Sequence, residues 1–274
     1  ASSSRPYSSC TAAMPEVRLP CAALAAPVRG RPAFREEFAD FLAFVRRPRL
    51  GPRMPRATRQ GSQEWLGGLG GPHLLRWVLV LWGVNLLVLG PLAASVATAS
   101  GAERRLDALH LSWFHVVLWA PVIEEMVFRY GLRRPAPALW LLPVLVSAML
   151  MRPSLAAGAS VALACGAIAA VLAWRGHRWP WKWLRRYARV FPFVFHLATL
   201  AFAFLHLANF RLGEGGWLLL PLLVLPQWAC GLVLGWMRVR FGIGASIALH
   251  ACFNAGPMAL LWALQNYAPG LLEG

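Results

Sequence analysis

Residues 111–132 read LSWFHVVLWAPVIEEMVFRYGL and hold three charged side chains in an otherwise apolar run. The charges are those of Glu124, Glu125 and Arg129. A charged side chain at the centre of a bilayer costs at least about 2.5–3.5 kcal/mol on insertion scales. We therefore expect a segment that keeps three of them at membrane depth to use them for function or for assembly.

The composition of the chain is that of a membrane protein, because 58% of its 274 residues are hydrophobic and 14 are tryptophan. Seven apolar runs approach or exceed the roughly 20 residues that a membrane-spanning helix needs. They are 74–99, 111–132, 138–151, 154–174, 190–210, 217–236 and 243–264. The short run 138–151 is either a tight span or a re-entrant segment. Strand-like alternation does not recur as a β-barrel would require. The sequence predicts an all-α, polytopic membrane helix bundle of about seven transmembrane helices with a polar N-terminal tail.

The net charge of +16 is explained by topology rather than by nucleic acid. With a cytoplasmic N-terminus, the basic residues concentrate in the loops on one side, at 133–134, 175–189 and 238–240, and the opposite loops are nearly neutral. This asymmetry follows the positive-inside rule, and anionic lipid headgroups are its natural partner. We therefore expect an integral membrane protein, in a bacterial inner membrane with a cytoplasmic N-terminus, and no nucleic-acid partner.

Residues 1–73 form the polar tail, rich in Ser, Pro, Ala, Arg and Gly. Two interpretations of its beginning stay open: a transit peptide, or a true start at Met14. Near 33–45, one helical face carries apolar side chains and the other carries charges. The apolar residues are Phe34, Phe38, Phe41, Leu42 and Val45, and the charged ones are Arg35, Glu36, Glu37 and Asp40. This pattern predicts an amphipathic helix on the cytoplasmic membrane surface.

Within the charged run, Glu125 and Arg129 are four residues apart and are predicted to form an ion pair on one helix face. Glu124 points about 100° away and has no local partner, which suits a general base. A charged network that only holds the bundle together explains the cluster equally well.

Two later spans add polar residues at helical spacing: Phe202 and His206, then His250 and Asn254. A single histidine on an apolar helix is usually a satisfied core residue. Two histidine-bearing spans and one glutamate-bearing span in the same bundle favour a shared site. The sequence thus predicts that Glu124, His206, His250 and Asn254 converge. The pair Gly231 and Gly235 predicts close helix packing and no chemistry.

In this order the residues resemble the CPBP family, the CAAX-protease and bacteriocin-processing group of intramembrane endopeptidases. The three motifs of that family are Glu-Glu-x-x-x-Arg, Phe-x-x-x-His and His-x-x-x-Asn/Asp, and all three are present across roughly 111–260. The resemblance implies a protease domain at 74–264. Its substrate would be a CAAX-like or other peptide or protein segment in or near the membrane.

The resemblance also implies roles for individual residues. Glu124 with His206 would activate water, Glu125 and Arg129 would orient the site, and His250 and Asn254 would stabilise the oxyanion, with Phe202 supporting. It implies no cofactor. A zinc ion held by Glu124, His206 and His250 is the open alternative, without a His-Glu-x-x-His motif.

Glu124 and His206 are 82 residues apart, which is longer than the usual family spacing. We attribute the excess to an insertion at 138–189, whose helices 138–151 and 154–174 are predicted to pack outside the catalytic group. Two other functions stay open: a non-catalytic scaffold or immunity protein, and a proton-coupled transporter.

Overall fold

The structure is a computed structural model that describes residues 33–51, 70–105, 112–151, 153–174, 181–212 and 216–268. Met14, the transit-peptide interpretation and most of the linker before residue 70 lie outside these residues. The helices, in chain order, are α1 Phe34–Arg46, α2 Gly71–Val84, α3 Gly90–Ser100, α4 Ala120–Phe128, α5 Pro135–Leu150, α6 Leu155–Trp174, α7 Trp181–Leu205, α8 Leu220–Leu223, α9 Leu225–Arg240 and α10 Ile243–Tyr267. The predicted all-α membrane bundle is confirmed.

Several shorter elements join these helices. π-Helical segments Asn85–Leu89 and Phe114–Trp119 lead into α3 and α4, and 3-10 turns lie at Tyr130–Leu132, His206–Asn209 and Gly216–Leu219. Strands β1 (Glu103–Arg104) and β2 (Phe210–Arg211) form an antiparallel ribbon in which Glu103 pairs with Arg211.

In the described part of the chain, four helical segments are long and apolar enough to cross a membrane. They are Gly71–Ser100, Leu155–Trp174, Lys182–Asn209 and Ile243–Tyr267, and Pro135–Leu150 is a shorter apolar helix. The predicted spans 111–132 and 217–236 contain the short helices α4 and α9 instead. Both carry buried charge, Glu125 on α4 and Arg238 on α9. Such helices need protein partners rather than lipid.

Helix α9 lies at the centre of the bundle, and residues 230–239 on it are all buried. It packs closely on α7 through its two glycines, as their spacing predicted. A Cβ atom at Gly235 would lie 2.6 Å from the Phe195 ring, and one at Gly231 would lie 3.0 Å from the Thr199 side chain. Glycine is therefore required where these two helices touch.

Helix α1 forms where the amphipathic pattern predicted it, and it packs against α2 and α9. The fully buried Trp77 ring contacts the rings of Phe34, Phe38 and Phe41 at centroid distances of 5.3–6.0 Å. Trp236 of α9 closes this cluster, 4.8 Å from Trp77. The place of α1 on the cytoplasmic membrane surface stays a prediction.

Two carboxylates that the sequence assigned to the polar face of α1 hold the helix in place. Glu37 is buried and accepts a hydrogen bond from Trp77 Nε1 at 3.3 Å, and its Oε1 lies 2.7 Å from His73 Nδ1. Asp40 forms a bidentate ion pair with Arg240, with both N–O distances 2.8 Å. Both acidic residues are therefore tertiary contacts, which helical periodicity alone does not reveal.

Arg238 differs from the prediction, which placed it in a loop. It lies on α9 and is fully buried. Its Nε donates to the Arg129 carbonyl and its Nη2 to the Tyr130 carbonyl, each at 3.1 Å. Helix α4 ends at Phe128, and the guanidinium adds a second donor to each of these carbonyls, which also accept the N–H of Leu132 and of Arg134. Arg238 thus caps α4 from a neighbouring helix.

Pro121 at the start of α4 releases a carbonyl that helix α10 then uses. The Ala120 N–H donates to the His115 carbonyl five residues earlier, which is the π-helical register. The next carbonyl in this register is that of Val116, and Pro121 has no N–H to donate to it. Asn254 Nδ2 of α10 donates to this Val116 carbonyl at 3.0 Å. The proline therefore creates the contact that joins α10 to the start of α4.

Pro257 lies inside α10 and, like Pro121, has no N–H to donate. The Phe253 carbonyl, four residues earlier, therefore lacks its usual helical donor. Trp82 Nε1 of α2 donates to that carbonyl at 3.0 Å. A Cβ atom at Gly256 would lie 2.0 Å from the Trp82 ring, so the indole lies directly on the glycine. The contact fixes α2 against α10.

Helices α5 and α6 pack on the side of α4 away from α7. Trp119 lies near Gly158 of α6, and α5 contributes Leu141 and Leu145 to the same cluster. Helix α4 reaches α7 directly through Phe128 and Phe202, whose rings lie 5.7 Å apart. The two helices of the predicted insertion therefore do not separate the glutamate helix from the histidine helix.

The contact between α7 and α9 gives a first prediction. We expect Gly235→Ala to lower the free energy of unfolding by about 1–3 kcal/mol, because the new methyl group meets the Phe195 ring. The measurement is the melting temperature of the purified protein in detergent.

Gly166→Ala on α6 is the matched control, since no atom lies within 4 Å of its new Cβ. This variant should be neutral or slightly stabilising, because alanine is the better helix former. Equal melting temperatures for the two variants would contradict close α7–α9 packing.

Candidate active site

Glu125 is the most heavily bonded side chain of the cluster and is fully buried. Its Oε1 accepts from Arg129 Nη1 at 2.5 Å and lies 2.9 Å from His250 Nδ1. Its Oε2 accepts from the Ser246 hydroxyl. The predicted Glu125–Arg129 pair is therefore present, and it is joined by two residues of α10.

Sequence reasoning missed Ser246, although a signal was available. Ser246, His250 and Asn254 follow one another at four-residue intervals and form a polar stripe on α10. Only the last two belong to a recognised motif, so the first was passed over. In the structure Ser246 Oγ also lies 2.9 Å from the Leu234 carbonyl oxygen of α9, so its single proton is shared between this acceptor and Glu125, and the residue lies where α4, α9 and α10 meet.

Glu124 differs from its neighbour, as its rotation around the helix predicted. Its side chain is 18% exposed, whereas that of Glu125 is completely covered. Its nearest charged partner is His250, with Nε2 3.9 Å from Glu124 Oε2. It accepts no hydrogen bond from any residue that the structure describes. Glu124 is thus a carboxylate in the cluster that is free to bind a water molecule.

Phe202 of α7 joins the histidines to the arginine. The Cζ atom of Arg129 lies 3.9 Å from the centroid of the Phe202 ring, in a cation–π contact. The rings of His206 and His250 lie 4.7 Å and 5.8 Å from the same centroid. Phe202 is itself buried. The residue expected to be supporting is therefore the apolar wall of the site.

His206 is placed slightly differently from the prediction, which set it inside a continuous helix. Helix α7 ends at Leu205, and His206 begins a 3-10 turn that continues into β2. Its ring Nδ1 lies 2.8 Å from the Phe202 carbonyl. A carbonyl can only accept, so Nδ1 carries a proton and Nε2 is left for the site.

Glu125, Arg129, Phe202, His206 and His250 therefore lie together, with Glu124 beside His250. Asn254, one turn beyond His250 on α10, donates one N–H of its side-chain amide to the Val116 carbonyl, and its place in the site stays a prediction. Arg129 is buried, and its Nη2 finds no hydrogen-bond partner among the described residues. The cluster thus combines an open carboxylate, two oriented imidazoles and unused donors.

Zinc stays an open alternative. In the described part of the chain, no three His, Cys, Asp or Glu side chains are grouped so that they could hold a metal ion. Glu125 holds His250 Nδ1 and a backbone carbonyl holds His206 Nδ1, so the Nε2 atom of each ring is left, as it is in histidines that bind zinc. A tetrahedral site would need Glu124 and both remaining imidazole nitrogens around one point.

The bonding of Glu125 gives a second prediction. Glu125→Gln removes the charge that compensates Arg129, and loss of one partner from a buried ion pair costs about 3–5 kcal/mol. We expect a clear fall in melting temperature in detergent.

Glu124→Gln is the control for stability, because Glu124 is partly exposed and has only the long contact with His250. It should melt close to the unmodified protein. If the two variants lost equal stability, the distinction between a structural and an open carboxylate would be wrong.

Comparison with known proteins agrees with this cluster. The model of the family described as type II CAAX prenyl endopeptidase Rce1-like matches residues 107–256, which include every residue of the candidate site. No curated protein and no solved structure matches the chain. The resemblance to the CPBP group that the three motifs indicated is confirmed. Because the matched segment is more than half of the chain, the protein belongs to the type II CAAX prenyl endopeptidase Rce1-like family.

Proposed function

We propose that, in this CAAX-type intramembrane protease, Glu124 and His206 activate a water molecule that attacks a peptide bond of a membrane-associated substrate. The proposal rests on the different hydrogen bonding of two adjacent carboxylates, those of Glu124 and Glu125. Glu125 is saturated by Arg129, Ser246 and His250, whereas Glu124 accepts no hydrogen bond from a described residue. A general base must keep a free lone pair for the proton that it takes.

The first step of the proposed reaction is the attack of water. Glu124 takes a proton from a water molecule that also donates to His206 Nε2, and the oxygen forms a bond to the scissile carbonyl carbon. The Phe202 carbonyl supports this geometry, since it holds the proton of His206 on Nδ1. The wall formed by Phe202 limits competing water on one side.

His250 is proposed to stabilise the oxyanion that forms. This role requires an N–H at His250 Nε2, which lies 3.9 Å from Glu124 Oε2, while Nδ1 stays 2.9 Å from Glu125 Oε1. The second N–H of the Asn254 amide and the unused Nη2 of Arg129 are further candidate donors.

The second step returns the proton. Glu124 gives the proton that it took from water to the amide nitrogen as the carbon–nitrogen bond breaks, so one peptide and one water become a carboxyl and an amine. No metal or redox partner is needed for this balance. We propose a CAAX-like peptide as substrate, since the family is that of the prenyl endopeptidases.

The chain is an integral membrane protein, and we further propose that its N-terminus faces the cytoplasm of a bacterial cell. The support is the exposed basic group at the start of α7, which consists of Lys182, Arg185, Arg186 and Arg189. Basic residues next to a span favour the cytoplasmic side.

Glu124→Gln tests the proposed base directly. It keeps the shape of the side chain but removes the proton acceptor, so we expect cleavage of a prenylated CAAX peptide in proteoliposomes to fall by at least about a hundredfold. The melting temperature should change little. A Glu124→Gln protein that cleaves at the unmodified rate would remove Glu124 from the mechanism, and one that unfolds would favour a purely structural network.

The same cleavage assay distinguishes the glutamate mechanism from a zinc mechanism. Cleavage that survives a strong zinc chelator agrees with the glutamate mechanism. Cleavage that is lost on chelation and restored by Zn²⁺ would replace it with a zinc mechanism.

Ser246→Ala tests the orientation of the site. Losing the hydroxyl frees one oxygen of Glu125 and loosens its hold on His250, so we expect kcat to fall about tenfold while KM changes little, because about 1.4 kcal/mol of transition-state stabilisation is a factor of ten.

Ser160→Ala on α6 is the matched control for this variant. Its hydroxyl is exposed and bonds only the Ala156 carbonyl of its own helix, so its kcat should not change. Equal kcat values in the two variants would show that Ser246 does not position the catalytic group.

A further inference from the structure

A large cavity lies between the end of α1 and the outer face of α7, away from the candidate active site. Its volume is about 890 Å³, within the range of about 300–1,000 Å³ that is typical of ligand pockets. Four arginines contribute to its lining: Arg46, Arg47 and Arg49 at and after the end of α1, and Arg189 on α7. No Asp or Glu lines it among the described residues.

These four guanidinium groups belong to exposed residues and have no acidic partner among the described residues. In the part of the chain that the structure describes, none of them forms an ion pair or a side-chain hydrogen bond, in contrast to Arg240, which is held by Asp40. Four like charges around one cavity repel one another, and the repulsion acts between α1 and α7. An anion bound among them would neutralise this repulsion and contact both helices.

The other half of the lining is apolar and follows α7 away from the arginines. Phe193, Leu197 and Leu200 lie on the same helical face as Arg189, and Phe193 and Leu197 are 77% and 69% exposed. Arg189 and Leu200 are separated by about 16 Å at 1.5 Å per residue. One leaflet of the hydrocarbon core is about 15 Å thick. The apolar residues themselves, from Phe193 to Leu200, cover about 10 Å of that distance at 1.5 Å per residue, which is enough for the first part of an acyl chain.

His196 lies within the apolar part of the lining, between Phe193 and Leu197 on α7. Its ring contacts Phe195 but has no hydrogen-bond partner among the described residues. A free phosphate would use the arginines alone and leave the apolar lining uncovered.

We propose that this cavity binds a phospholipid with an anionic headgroup, whose phosphate lies among Arg46, Arg47, Arg49 and Arg189 and whose acyl chain lies along Phe193, Leu197 and Leu200. The lipid holds the end of α1 against α7. Since α7 carries Phe202 and leads directly into His206, the site connects the lipid composition of the membrane to two residues of the candidate active site.

The test uses the full chain in detergent and counts bound lipid by native mass spectrometry. The probes are dioleoyl phosphatidylglycerol and dioleoyl phosphatidylcholine, which share their acyl chains, and glycerol 3-phosphate, which has none. We expect retention of phosphatidylglycerol over phosphatidylcholine and no competition by glycerol 3-phosphate. Equal retention of the two lipids would overturn the proposal, and efficient competition by glycerol 3-phosphate would indicate a free-phosphate site instead.

The triple variant R47Q/R49Q/R189Q should bind phosphatidylglycerol at least about tenfold more weakly, since each basic residue contributes to attraction of an anionic lipid. The control R35Q/R76Q/R186Q removes the same charge from exposed positions that do not line the cavity, and its affinity should stay within about twofold of the unmodified protein. An equal loss in both would mean general attraction to the basic surface rather than a site. If the triple variant fails to fold, Arg189→Gln alone carries the test, with an expected loss of severalfold, and an unchanged affinity in that folded variant would also overturn the proposal.

Discussion

The bonding of one buried carboxylate, that of Glu125, determines how the centre of this protein is arranged. A charge without contact with water is tolerated only when partners surround it, and Glu125 draws those partners from its own helix and from α10. The arrangement places His250 next to Glu124 and brings Arg129 against Phe202. Glu124 keeps its lone pairs free because Glu125, and not Glu124, accepts the hydrogen bonds that join α4 to α10.

The same constraint explains contacts far from the site. Glu37 and Asp40 hold α1 because each meets a donor or cation on the helices that cover it. Arg238 is buried where the carbonyl groups at the end of α4 accept its N–H groups. Where a proline removes a donor, a side chain of another helix replaces it, as Asn254 and Trp82 do. Polar groups in an apolar bundle thus specify which helices touch.

Sequence reasoning reached the parts of this arrangement that depend on local spacing. The apolar runs gave the membrane bundle, four-residue intervals gave the Glu125–Arg129 pair, and Gly231 and Gly235 gave the close helix contact. It missed Ser246, the cap made by Arg238 and the surface that α1 covers. These depend on where a helix ends, on the π-helical register before Pro121 and on which helix lies opposite, and periodicity within one segment contains none of that information.

The packing of α1 and α2 shows that the buried core extends beyond the segment that the family model matches. The segment that the family model matches begins at residue 107, yet Phe44, Trp77, Val78 and Leu81 belong to the same buried cluster as Leu234 and Trp236. Cut at the family boundary, the chain would expose one side of α9 and lose the indole donor that satisfies Phe253. The segment that the family model matches and the compact unit of the structure therefore have different borders, and the compact unit begins more than sixty residues earlier.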